Sequence, residues 1–164
     1  MKLLAASAVA LCALGFGATA QAQQAGKLFF EGDIVRGNQV GAPGPFCVLA
    51  NQFRRLEKVV WRLRILDQAG NSLDGKGLKS VVVELADGQK LAAEFGPHPP
   101  PRSGPATDFF WTTTWTIPTT YPSGTFAYKV VATDPDGAVH TWEPFKRSPS
   151  QLTVVAGEIE IKKP

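Results

Sequence analysis

Val59, Trp61, Leu63 and Ile65 alternate with Lys58, Arg62 and Arg64. That period of two places apolar side chains on one face of a strand and charged ones on the other. The alternation returns in Val81, Val83 and Leu85 against Lys79 and Glu84, and again in Phe109, Trp111, Thr113, Trp115 and Ile117. A fourth ladder runs through Phe126, Tyr128, Val130 and Ala132, opposite Thr125 and Lys129. Shorter runs at 27–35, 90–95, 139–142 and 152–155 bring the expected number of strands to about eight. No segment keeps apolar residues at i, i+3, i+4 and i+7 through three helical turns, so the pattern predicts an all-β chain.

Turn chemistry separates the ladders. Ala86-Asp87-Gly88-Gln89 and Asp134-Pro135-Asp136-Gly137 supply residues that tolerate positive φ or preset it, as hairpin loops require. The stretch 68–77 is rich in glycine and reads as a longer loop. Two proline-rich excursions stand out, at 41–45 and at 96–105. Strands with hairpin punctuation and no helix predict an antiparallel β-sandwich, formed by residues 23–164 as a single domain.

Residues 121–137, YPSGTFAYKVVATDPDG, resemble the penultimate strand and hairpin of bacterial immunoglobulin-like and fibronectin-type-III-like domains. Pro122, Gly124, Phe126, Tyr128, Val130, Ala132, Asp134 and Gly137 occupy the places of the P-x-G-x-aromatic-x-aromatic-x-V-x-A-x-D-x-x-G pattern. Trp115-Thr116-Ile117-Pro118 is similar to the strand leading into that corner. The resemblance implies an immunoglobulin-like sandwich and no particular activity, because such folds host many. It departs from the antibody pattern in lacking a second core cysteine to partner Cys47.

The first 22 residues change the picture of where the chain works. Lys2 precedes an apolar run from Leu3 to Ala18, and Ala20-Gln21-Ala22 offers small residues for cleavage. That run is shorter than the roughly 20 residues of a membrane span, so residues 1–22 read as a cleaved bacterial secretory signal. Leu11 before Cys12 argues against a lipid-attachment site. Removal of this segment takes away Lys2 and Cys12, lowering the formal charge of +3 by one and leaving Cys47 as the single cysteine. The remaining charge is too small and dispersed to demand nucleic acid. With no intrachain disulfide possible, the fold must rest on its apolar core.

Candidate chemistry is sparse. His98 and His140 are the only imidazoles, no G-x-S-x-G elbow occurs, and the carboxylates read as turn and strand-surface charges. The chain is therefore read as a non-enzyme without a cofactor. Cys47, His98 and His140 form the one candidate metal set, a cysteine and two histidines being a donor combination suited to copper. The alternatives for Cys47 are a buried small thiol or a bridge between chains. Asp134-x-Asp136-Gly137 is far too short for a calcium loop and reads as a turn. Trp111 and Trp115 could stack on sugar rings if exposed, but their ladder looks core-facing.

The stiff segment Pro97, His98, Pro99, Pro100, Pro101 and Arg102 is the leading candidate contact surface. Its prolines restrict φ, so little entropy would be lost on binding. The leading expectation is a periplasmic or secreted, non-catalytic module docking to another periplasmic protein. A metal-handling or redox-accessory protein using Cys47, His98 and His140 is the alternative, and a glycan-binding module the third. The leader reading predicts a mature protein beginning near Gln23. Intact mass of protein recovered from the periplasm checks it: a species retaining Met1 to Ala22, or a lipid adduct on Cys12, contradicts it.

Overall fold

The computed structural model describes residues 27–38, 47–98, 104–105 and 108–159. Within them lie eleven strands: β1 (Phe29–Arg36), β2 (Val48–Leu49), β3 (Gln52–Arg55), β4 (Lys58–Leu66), β5 (Ser80–Leu85), β6 (Lys90–Pro97), β7 (Phe109–Thr116), β8 (Gly124–Phe126), β9 (Tyr128–Thr133), β10 (Val139–Trp142) and β11 (Leu152–Glu158). The one helical element described is a 3-10 turn at Ser148–Ser150. The all-β expectation holds. The excess over about eight strands comes from β2 and β3, too short to show a period, and from a break at Ala127 that divides one expected ladder into β8 and β9. The expected leader, residues 1–22, lies outside the described residues. Among those described, no helix is long and apolar enough to cross a membrane.

The strands form an eight-stranded sheet in the order β10-β9-β5-β6-β7-β4-β1-β2 and a three-stranded sheet in the order β3-β11-β8. β6 is the corner of the larger sheet. Its first half, Lys90 to Ala93, pairs with β5, and its second half, Glu94 to Pro97, pairs with β7. No β6 residue pairs on both sides, so one half-sheet of β10, β9 and β5 passes into another of β7, β4, β1 and β2. A strand that changes partners midway turns a sheet through a corner. The two half-sheets meet: Trp61 of β4 touches Tyr128 of β9 edge to face at 5.9 Å, and Phe30 of β1 stacks on Trp142 of β10 at 6.3 Å. One pairing departs from the antiparallel expectation, since β3 runs parallel to β11. These strands are far apart in sequence, so no hairpin dictates their direction.

The alternation read from sequence sorts the faces of the long strands correctly, except that Phe109 at the start of β7 is 43% exposed. Trp61, Leu63 and Ile65 of β4, Val81 and Val83 of β5, Trp111 and Trp115 of β7, and Tyr128, Val130 and Ala132 of β9 are buried in one core. Burying a large side chain of this kind contributes about 1.5–3 kcal/mol. Polar anchors fix the ends of the ladders. The Trp111 indole N–H donates to the Leu73 carbonyl at 2.8 Å, pinning the 68–77 loop over β7. Buried Glu57 accepts from the Arg54 amide at 2.8 Å and pairs with Arg36 at 3.2 Å, closing the turn in which Leu56 takes a φ of 68°. In the β9–β10 hairpin, Asp134 Oδ1 accepts from the Ala138 amide at 2.8 Å, while Gly137 supplies a φ of 90° that a Cβ would strain.

Trp61 is fully buried, though its indole N–H has no hydrogen-bond partner in the structure. Its contribution is therefore apolar contact and the edge-on packing with Tyr128. Trp61→Ala is expected to cost about 3–5 kcal/mol, the usual loss for a large buried aromatic. A urea denaturation curve with an unchanged midpoint would contradict the placement of this residue at the join.

Candidate functional site

A concavity opens beside the join between half-sheets. Gly32, Asp33 and Ile34 of β1 line one wall, and Leu49, Ala50 and Asn51 extend it. Trp142, Pro144, Phe145, Pro149 and Ser150 form the other, with Tyr128 between. Its volume is about 440 Å³, within the range of ligand-sized clefts.

The groove exists because one strand direction is interrupted. β10 pairs with β9 from Val130 to Thr133, and β11 pairs with β8 from Gly124 to Phe126. Between β10 and β11 the chain leaves the sheet through Glu143 to Gln151, where Pro144 and Pro149 lack ladder donors. Phe145 at the apex is 82% exposed, and Leu49 on the facing wall is 67% exposed. Asn51 ties the walls together by donating to the Ser148 carbonyl at 3.0 Å.

The charged side chain lining the groove, Asp33, is paired. Asp33 accepts two bonds from the Arg62 guanidinium, one of them 2.8 Å, in a bidentate, charge-assisted geometry. Its charge also holds the Arg62 guanidinium above its ordinary range. Burial, and then the nearby Asp33 charge, pushes the Tyr128 phenol well above its ordinary value, so it stays protonated at neutral pH. The result is a largely apolar cleft with a neutral phenol among its lining groups.

The residues singled out from sequence lie on or beside different elements. Cys47 is exposed, which removes the buried-thiol reading. Its φ of 56° and an amide bond of 2.6 Å to the Arg36 carbonyl fold the chain sharply into β2. His140 sits on β10 with Nε2 3.4 Å from Asp134 Oδ2. The Asp134 carboxyl is partly desolvated, which alone would raise its pKa, but bonds from His140 and the Ala138 amide hold it below its ordinary value. His98 lies beyond the end of β6, in the other half-sheet, its amide bonded to the Asp108 carbonyl at 3.1 Å. Among the described residues no three His, Cys, Asp or Glu side chains gather as metal ligands. Cys47, His98 and His140 therefore do not form the expected set.

Trp111 and Trp115 are buried, at 5% and 7% exposure, so they offer no platform for a sugar. Pro97 belongs to β6 and pairs opposite Phe109, which corrects the expectation that the whole proline segment stays outside the sheet. β5 does not extend this far, so the side of β6 facing away from β7 needs no amide donor here. Pro99, Pro100, Pro101 and Arg102 lie outside the described residues. The groove itself was missed, because its walls come from four distant stretches. Its one sequence signal was Phe145, a large apolar residue flanked by Pro144 and Lys146 with no alternating neighbours.

No known protein family, no curated protein and no solved structure matches the chain. The site therefore has to be argued from its own geometry.

His98 yields a pH prediction. Burial, and next the positive charge of Arg62, holds its pKa below 6.5, with Asp33 acting weakly the other way. Its Nε2 is buried without a hydrogen-bond partner in the structure. The unfolded chain thus binds the proton more readily, and the stability that neutral His98 contributes above pH 6.5 is lost as pH falls through the folded-state pKa. The His98 ring signals in an NMR titration should have a midpoint below 6.5, and His98→Gln should flatten the acid-side decline in denaturation midpoint. A midpoint at or above 6.5 contradicts this.

Proposed function

We propose that this chain is a non-catalytic, periplasmic or secreted protein-interaction module with an immunoglobulin-like β-sandwich fold, and that the groove between β1 and β10 receives a segment of another periplasmic protein. The groove carries the proposal. It is lined by the buried ring of Tyr128 together with two large exposed apolar side chains, Leu49 and Phe145. Apolar anchors around a desolvated pocket are the pattern of protein contact sites. The fold assignment rests on the motif at 121–137, which lies on β8 and β9 with Tyr128 and Val130 in the core. The secretory leader supports the compartment. The proline segment, first expected to be the contact surface, has no comparable support.

A photo-reactive amino acid placed at Leu49, at Phe145 and at exposed Lys76 on a distant loop tests the reading in cells of the source organism. One adduct of the same mass from positions 49 and 145, absent at position 76, is expected. No adduct, or the same adducts at all three positions, would reject the groove as the docking surface.

A further inference from the structure

We infer that the occupant of this groove is an extended acidic-flanked strand that adds to the free edge of β1. The inference rests on the groove being the docking surface and specifies how a partner would be held.

The hydrogen-bond parity of β1 is fixed at its end. The Gly37 amide donates to the Lys58 carbonyl at 2.7 Å, so with the register of β1 on β4 the amides and carbonyls of Glu31, Asp33 and Val35 face β4. Those of Phe30, Gly32, Ile34 and Arg36 face the other way. The Cys47 amide reaches the Arg36 carbonyl at 2.6 Å and the Ala50 amide reaches the Ile34 carbonyl at 3.1 Å, which confirms that parity. β2 pairs with β1 at Val35 and Arg36, and Ala50 takes the Ile34 carbonyl, so the lane beside β1 is occupied only from Ile34 to Arg36. At Asn51 the chain departs for β3. Beyond that point no described strand neighbours β1 on this side, and the amides of Ile34 and Gly32 and the Gly32 carbonyl face outward.

Gly32 and Ile34 are also groove residues, so the free edge and the apolar cleft are one feature. An extended chain continuing the antiparallel lane that β2 begins would satisfy these backbone groups and set alternate side chains against Leu49, Trp142 and Phe145. Nearby charge selects the flank. The groove's own acid, Asp33, is committed to Arg62. Arg147 has no acidic partner among the described residues, and exposed Lys146 reaches Glu143 only at 3.9 Å. Unneutralised positive charge beside Phe145 complements acidic residues at the end of the occupant.

Amide hydrogen exchange read by NMR tests the inference on the mature protein. In the free protein, the amides of Gly32 and Ile34 should exchange at least about 100-fold faster than those of Asp33 and Val35, which face β4. The probe is the blocked peptide Asp-Glu-Val-Thr-Val-Thr-Val-Glu-Asp. At saturation it should slow exchange at Gly32 and Ile34 at least about tenfold. The same peptide N-methylated on alternate residues should give no protection, and a version with lysines at both ends should bind more weakly at low salt. Protection of Gly32 and Ile34 in the free protein, or the absence of binding by the acidic probe, would overturn the inference. So would probe-induced shifts at Leu49 and Phe145 without amide protection, although that result would leave the groove standing as a docking surface. The cross-linking result judges the groove independently of all three.

Discussion

The contact of Trp61 with Tyr128 is the constraint on which the arrangement of the chain depends. Trp61 comes from the half-sheet centred on β4 and Tyr128 from the one centred on β9, and their rings meet edge to face at 5.9 Å. Each strand gains stability only if its apolar face finds a partner face, and a sheet laid flat would leave both faces wet. The turn through β6 and the contact of Phe30 with Trp142 follow from the same need. The unpartnered indole N–H of Trp61 shows how far apolar contact dominates at the join, since a buried donor without an acceptor carries a cost of about 1–3 kcal/mol.

The groove is a consequence of closing the join imperfectly. β1 is held on its β4 side by a complete ladder, reinforced on the outer face by the Asp33–Arg62 and Glu31–Arg64 pairs. These pairs are partly exposed and contribute little to stability. On its other side β1 is covered for two residues by β2 and then released. The rest of the lining comes from the segment between β10 and β11, which carries Pro144 and Pro149. Leu49 and Phe145 both stay in solvent, an arrangement usually blunted at sheet edges.

Much of the fold was legible residue by residue. Trp61 and Tyr128 were placed in the core by alternation alone, and the strand at 139–142 was bounded correctly, because side-chain period and turn chemistry are local properties. The candidate site was not legible to the same degree. Cys47, His98 and His140 are scarce ligand types, yet scarcity says nothing about proximity, and among the described residues no three such side chains gather as metal ligands. The proline segment looked stiff and projecting, but Pro97 proved to be a strand residue at an edge where its missing amide costs nothing.

The sequence by itself determined that the chain is all-β, which faces of the long strands are buried, and where the hairpins turn. Those features are set within a few residues, by sterics and by the alternation of side chains across a pleat. Only the tertiary structure decided that β6 changes partners midway, that β3 runs parallel to β11, and that Gly32, Leu49, Tyr128 and Phe145 border one cleft. Pairings between strands distant in sequence depend on which faces fit together once all are present, and no local pattern encodes that choice.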